Sequence, residues 1–168
     1  MYNVGDVVFY SSTGVCSVEK VGVPDIGGLP DNVDYYTLRP VSKNHKEAIY
    51  VPVNTSAKMR PVVSRRQARR YIRQVENMRP VYPATRNPKA ISDFYTAMIS
   101  TYQCEDLLQV IVSLTCKRRE CAAKNKHLNR TQSTFLKRAQ EMLFNEFSYA
   151  LNISRREVQD TVESKIVS

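Results

Sequence analysis

Catalysis or metal binding in this chain would draw on two histidines, four cysteines and sixteen carboxylates, and their placement argues against both. His45 lies in the polar run Ser42-Lys43-Asn44-His45-Lys46, and His127 among Lys124, Asn125, Lys126 and Asn129. Both read as solvated loop residues. Neither sits in a Ser/His/Asp context, and there is no G-x-S-x-G, P-loop or G-x-G-x-x-G. Gly27-Gly28 falls between expected strands and not at a helix N-terminus, so it lacks the setting of a phosphate cradle. Glu105-Asp106 reads as a helix start, where acids complement the dipole. Cys16, Cys104, Cys116 and Cys121 form no C-x-x-C pair, and a set of Cys104, Cys116, Cys121 and His127 matches no standard zinc spacing. Cys116 and Cys121 are five residues apart in a helical stretch and point to different faces. The expectation is free thiols in a reducing compartment, no metal, no cofactor and no enzymatic activity.

The chemistry that does stand out is positive charge. The net charge is +9. Residues 1–63 hold six basic and six acidic side chains, and residues 131–168 hold five of each. Residues 64–130 hold fourteen basic against five acidic, so the whole excess sits there. Within that segment, 64–90 carries eight basic side chains against the single acid Glu76. A field this concentrated draws polyanions and speeds their encounter. The plainer alternative is a solvated helix face that keeps the protein soluble.

The elements that carry these residues change character along the chain. The first 63 residues read as β. Val7–Tyr10 is a short strand, Ser11-Ser12-Thr13-Gly14 a turn cluster, and Val15–Val21 a strand in near alternation. Pro24–Asn32 reads as a loop, and Tyr35–Val41 and Ala48–Val53 as two further strands. Short strands between turn signals imply a small barrel. Pro52 cannot donate to a ladder and belongs at an edge or a strand end.

From Ser64 the period becomes helical. Ser64-Arg65-Arg66-Gln67 is a capping-box pattern opening a first helix over 64–77, with Ala68, Tyr71, Ile72 and Val75 as its apolar stripe. Arg65, Arg66, Arg69, Arg70 and Arg73 occupy the other faces. Arg79-Pro80-Val81-Tyr82-Pro83 ends it, and 78–88 reads as a linker. Four more helices follow, at Ala90–Thr101, Glu105–Ala123, from Asn129 onward and from Ser154 onward, the last two opened by capping-box patterns. All-β followed by all-α predicts an α+β chain of two modules: a small β-barrel over 1–63 and a helical bundle over 64–168. No apolar run approaches the roughly 20 residues of a membrane span, and the start lacks a signal peptide, so a cytoplasmic protein is expected.

The first 63 residues resemble the CarD family of bacterial transcription regulators. Val4-Gly5-Asp6-Val7-Val8-Phe9-Tyr10 and Gly14-Val15-Cys16-Ser17-Val18 are similar to that family's opening strands. Tyr35-Tyr36-Thr37-Leu38, Ile49-Tyr50-Val51-Pro52-Val53 and Met59-Arg60-Pro61-Val62-Val63-Ser64 match its later ones and its junction into the first helix. Gln103–Leu114 and Leu128–Leu143 are more loosely similar to its third and fourth helices. The resemblance implies a Tudor-like barrel that adds its edge strand to the β subunit of RNA polymerase. That edge would be Ile49, Tyr50, Val51 and Pro52. It also implies a helical domain at the upstream edge of the open promoter bubble, where a tryptophan wedges into the minor groove.

The chain has no tryptophan, and Ile91 falls at the wedge position. Asp93 and Thr96 stand where the family has basic residues, as do Ser133 and Thr134. Tyr50 also stands at a commonly basic position. DNA contact would then rest on Ile91 as an apolar wedge together with Arg86, Lys89, Lys117, Arg118, Arg119, Lys124, Lys126 and Arg130, which give affinity with little sequence reading. The expectation is a monomeric, polymerase-bound regulator of open-complex stability that contacts promoter DNA non-specifically. The alternative is a polymerase-binding interaction protein without a working DNA wedge, its basic helices serving another protein or RNA.

Overall fold

The computed structural model describes residues 1–42, 47–55 and 58–167. His45 lies outside the described residues. The chain divides into two compact units, Met1–Val62 and Val63–Ser168.

The first unit is an antiparallel sheet of five strands: β1 (Val7–Tyr10), β2 (Gly14–Gly22), β3 (Tyr35–Pro40), β4 (Ile49–Pro52) and β5 (Met59–Pro61). Their order across the sheet is β4-β3-β2-β1-β5. Among the described residues no β4–β5 ladder closes it, so the sheet is open where a closed barrel was expected. β5 was also not foreseen, since three residues ending in proline give no periodicity to read.

Val8, Cys16, Val18, Tyr36, Leu38 and Val51 form one buried cluster on one face of the sheet. Val18 pairs with Leu38 and Val21 with Tyr36, with a register shift between Val18 and Lys20. Glu19 is the extra residue of this bulge, and it keeps Val18 and Val21 on the same face although they are three apart. The imperfect alternation in the sequence has this cause. Burial pushes the Cys16 thiol up to about 11, so it stays protonated and inert at neutral pH.

The second unit holds α1 (Arg65–Gln74), α2 (Pro88–Ile99), α3 (Cys104–Ala123), α4 (Arg130–Leu151) and α5 (Arg155–Lys165). Ser64 and Gln67 make the reciprocal capping box of α1, and Ser154 and Glu157 that of α5. At α4 the device is one-sided. Asn129 Oδ1 accepts from the Gln132 N–H at 2.8 Å, while the Gln132 side chain is itself buried. α2 begins two residues before the expected start, because Asn87 caps it and Pro88 occupies its first position, where proline costs nothing.

α3 is buried almost all round from Leu107 to Cys116, as befits a central helix. The join between α1 and α2 provides part of its cover. The Val81 N–H donates to Ser113 Oγ at 2.9 Å and the Tyr82 hydroxyl to Ser113 O at 3.0 Å. Gln109 Nε2 donates to Arg79 O at 2.8 Å. The Pro-rich segment read as a linker is therefore strapped along α3, its polar groups satisfied by one turn of that helix. Glu146 is fully buried on α4 and accepts from the Val63 N–H at 3.1 Å, anchoring the chain as it enters α1.

Candidate functional site

In the first unit the expected contact strand is an edge. β4 pairs with β3 through Leu38↔Ile49, Thr37↔Tyr50, Tyr36↔Val51 and Tyr35↔Pro52. Val51 is buried and Ile49 packs on the core cluster, so Tyr50 and Pro52 take the opposite face. The Val53 N–H donates to Asp34 O at 2.9 Å. Alternate residues of an antiparallel strand turn their backbone groups to the same neighbour, so Val51 and Ile49 also bond towards β3. The backbone groups of Tyr50 and Pro52 then face away from the sheet. Pro52 has no N–H, and its carbonyl already accepts from the Thr55 N–H at 3.0 Å. Tyr50 is left presenting both an N–H and a C=O outward.

The face shared by Tyr50 carries a bidentate, solvent-exposed ion pair. Arg39 donates Nε to Glu19 Oε1 and Nη2 to Glu19 Oε2, each at 3.0 Å. These hydrogen bonds hold the Glu19 carboxyl below its ordinary value. On the other face, a cavity of about 330 Å³ opens between the turn after β4 and the start of β5, lined by Tyr2, Tyr36, Val53 and Met59 among others.

In the helical unit, Lys124, Lys126 and Arg130 lie at the end of the bundle where α3 turns into α4. The Thr101 hydroxyl donates to Asp106 at 2.6 Å, so α2 ends where α3 begins. Tyr95 and Phe135 have ring centroids 5.5 Å apart, which sets the second half of α2 beside the first half of α4. Arg86 precedes α2, and Lys89 and Ile91 lie in its first turn. Lys117 lies with its ammonium 5.7 Å from the centroid of the Tyr82 ring. Burial pushes the Tyr82 hydroxyl up to about 12. Ile91 sits half-buried in the first turn of α2.

Three residues of the expected set are engaged within the fold. Arg118 Nη2 pairs with Glu163 Oε1 at 3.1 Å. Arg119 donates to Ile166 O and to Glu163 O, each at 2.8 Å, and so caps the end of α5. Lys89 pairs with Asp93 at 2.9 Å on the exposed surface of α2. The last turn of α5 thus engages the guanidiniums of both Arg118 and Arg119.

Sequence reasoning left out Lys137. It lines a cavity of about 270 Å³ with Arg118, Lys126, His127, Ser133 and Gln140. Only the packing of α4 on α3 brings these side chains together. Among the described residues no group of three His, Cys, Asp or Glu is placed to hold a metal ion, and no helix is long and apolar enough to cross a membrane.

Residues 2–63 match the family model described as the CarD-like/TRCF RID domain. The first unit is similar to that domain over its whole length. The match covers all five strands of the sheet, including the edge at Ile49–Pro52 and the Met59–Pro61 strand that precedes the helices. No curated protein matches the chain.

Proposed function

We propose that this chain is a non-enzymatic bacterial transcription regulator. Its CarD-like unit, a Tudor-like module, docks on the β subunit of RNA polymerase in the cytoplasm by adding strand β4 to a partner strand. Its helical unit then meets promoter DNA at the upstream edge of the bubble and modulates open-complex lifetime. The DNA contact is to the backbone and is carried by Arg86, Lys117, Lys124, Lys126 and Arg130, with Ile91 as the apolar element.

The observation that carries the reading is the edge position of β4 inside a matched CarD-like domain, with the Tyr50 N–H and C=O turned outward. An edge strand with free backbone groups is the template that strand addition requires. The basic side chains at the turn between α3 and α4, with Lys137 beside Lys126, support the DNA half, since phosphate contacts position a protein without reading sequence.

One observation favours the alternative of a polymerase-binding protein without a DNA wedge. The Lys89 charge beside Ile91 is neutralised by Asp93, and Ile91 is itself half-buried. The deciding experiment measures binding of the intact protein to the cognate polymerase β subunit, and open-complex half-life on a promoter with and without the protein. Binding with a changed half-life supports the proposal, and binding with an unchanged half-life favours the alternative. No binding overturns both.

A further inference from the structure

Half of α1 is arginine: Arg65, Arg66, Arg69, Arg70 and Arg73, with no lysine among its ten residues. The fold needs only its other side, where Ala68, Ile72 and Val75 are buried and Tyr71 stacks on Phe147 at 6.2 Å. At about 100° per residue, Arg66, Arg69, Arg70 and Arg73 share an arc of roughly 100° directly opposite that stripe. All five arginines are exposed, and among the described residues no acidic side chain pairs with any of them. Arg70 alone is placed against a ring, its guanidinium 5.6 Å from the Tyr71 centroid.

This arrangement works against the helix that carries it. Arg65/Arg69, Arg66/Arg70 and Arg69/Arg73 are like-charge pairs at i,i+4, each of which weakens a helix. Arg65 and Arg66 stand at the positive end of the helix dipole, with no acid in the first turn to offset them. Solubility alone would be served as well by mixed charge. A polyanion laid along the arc relieves both penalties at once.

We infer that the outer face of α1 is a second docking surface for the phosphate backbone of duplex DNA, separate from the basic end of the bundle. The choice of arginine fits, because its planar fork bonds phosphate oxygens bidentately. A protein partner would look for apolar anchors at the centre of the patch, and the exposed face of α1 holds only Arg and Gln. A single strand would look for aromatic stacking platforms, yet the one aromatic on α1 is stacked inward on Phe147. The surface is distant from the other one. Tyr71 bonds Glu105 at 2.8 Å at the start of α3, whereas Lys124 follows its last residue, and twenty helical residues span about 30 Å. The inference rests on the reading that the helical unit meets DNA.

The test is a fluorescence-anisotropy titration of the full chain with a duplex of about 30 base pairs over a range of salt, repeated with single-stranded RNA of the same length. It compares wild type with R66Q/R69Q/R73Q and with K124Q/K126Q/R130Q. The α1 variant is expected to lower the slope of log affinity against log salt by about 2 to 3, at roughly 0.9 for each phosphate no longer neutralised. Its melting temperature should equal or exceed that of wild type, which a merely structural role for the arginines would not produce. The loop variant should lower the slope independently. A wild-type slope in the α1 variant, with a loss confined to the loop variant, overturns this inference and leaves the proposed DNA surface standing. Tighter, α1-dependent binding of the RNA overturns the assignment to duplex DNA. No binding by wild type to either nucleic acid overturns both readings.

Discussion

Replacing Tyr50 by proline isolates the one backbone donor on which strand addition at β4 depends. Proline at an edge position whose amide faces away from the sheet leaves the ladder to β3 intact. The four β3–β4 register pairs and the buried Val51 side chain should therefore survive. What disappears is the outward N–H, together with the tyrosine ring. A typical hydrogen bond contributes about 1 kcal/mol net, and an acceptor left unmade in a dry interface raises the loss to about 2 kcal/mol. That corresponds to a roughly 5- to 30-fold weaker complex with the polymerase β subunit. Tyr50→Val keeps the amide and loses the ring, so the difference between the two variants reports the donor alone. The assay is calorimetric titration of the intact variants against the isolated β subunit, beside a thermal melt to confirm folding. If Tyr50→Pro melts like wild type and binds like Tyr50→Val, the amide makes no contact and strand addition through β4 is refuted.

Three further outcomes follow from the geometry. Arg119→Ala removes two charge-assisted bonds to the end of α5 and should destabilise the helical unit by about 2 kcal/mol, lowering its melting temperature by roughly 8 °C. The salt slope for DNA should not change, and a reduced slope with an unchanged melt would make Arg119 a phosphate ligand after all. The Tyr95 hydroxyl is buried without a hydrogen-bond partner among the described residues, so Tyr95→Phe should raise stability by about 1 kcal/mol, read as a higher melting temperature. A destabilised variant would show that the hydroxyl does bond something. Glu19 and Glu157 are held below the ordinary carboxyl value of 4.5, the first by hydrogen bonds from Arg39 and the second by those from Ser154. Their depressed folded values mean that this stability is present above about pH 4.5 and is lost as the pH falls through the folded values. Melting temperature followed from pH 6 to pH 3 should fall, with a shallower fall in Glu157→Gln, and a flat profile would contradict the assignment.

What the sequence by itself determined was local in origin. Hydroxyl caps at Ser64 and Ser154, apolar stripes at helical spacing, and strands broken by Gly and Pro clusters are written within a few residues of where they act. So is the concentration of charge in one segment, which needs no contact to be counted. Tertiary structure decided everything that depends on residues distant in the chain. Whether the sheet closes is a matter of whether β4 meets β5, and no periodicity carries that information. The direction of the Tyr50 amide follows from the register with β3 and the Val53–Asp34 bond. The Pro-rich stretch after α1 looks like a free linker until Ser113, more than thirty residues on, takes its N–H and its tyrosine hydroxyl. Arg118 and Arg119 look like their neighbours Lys117 and Lys124 until the last turn of α5 comes to rest against them. A charge is legible from composition, but whether it is available to a partner is set by which carbonyls and carboxylates the fold brings within reach of it.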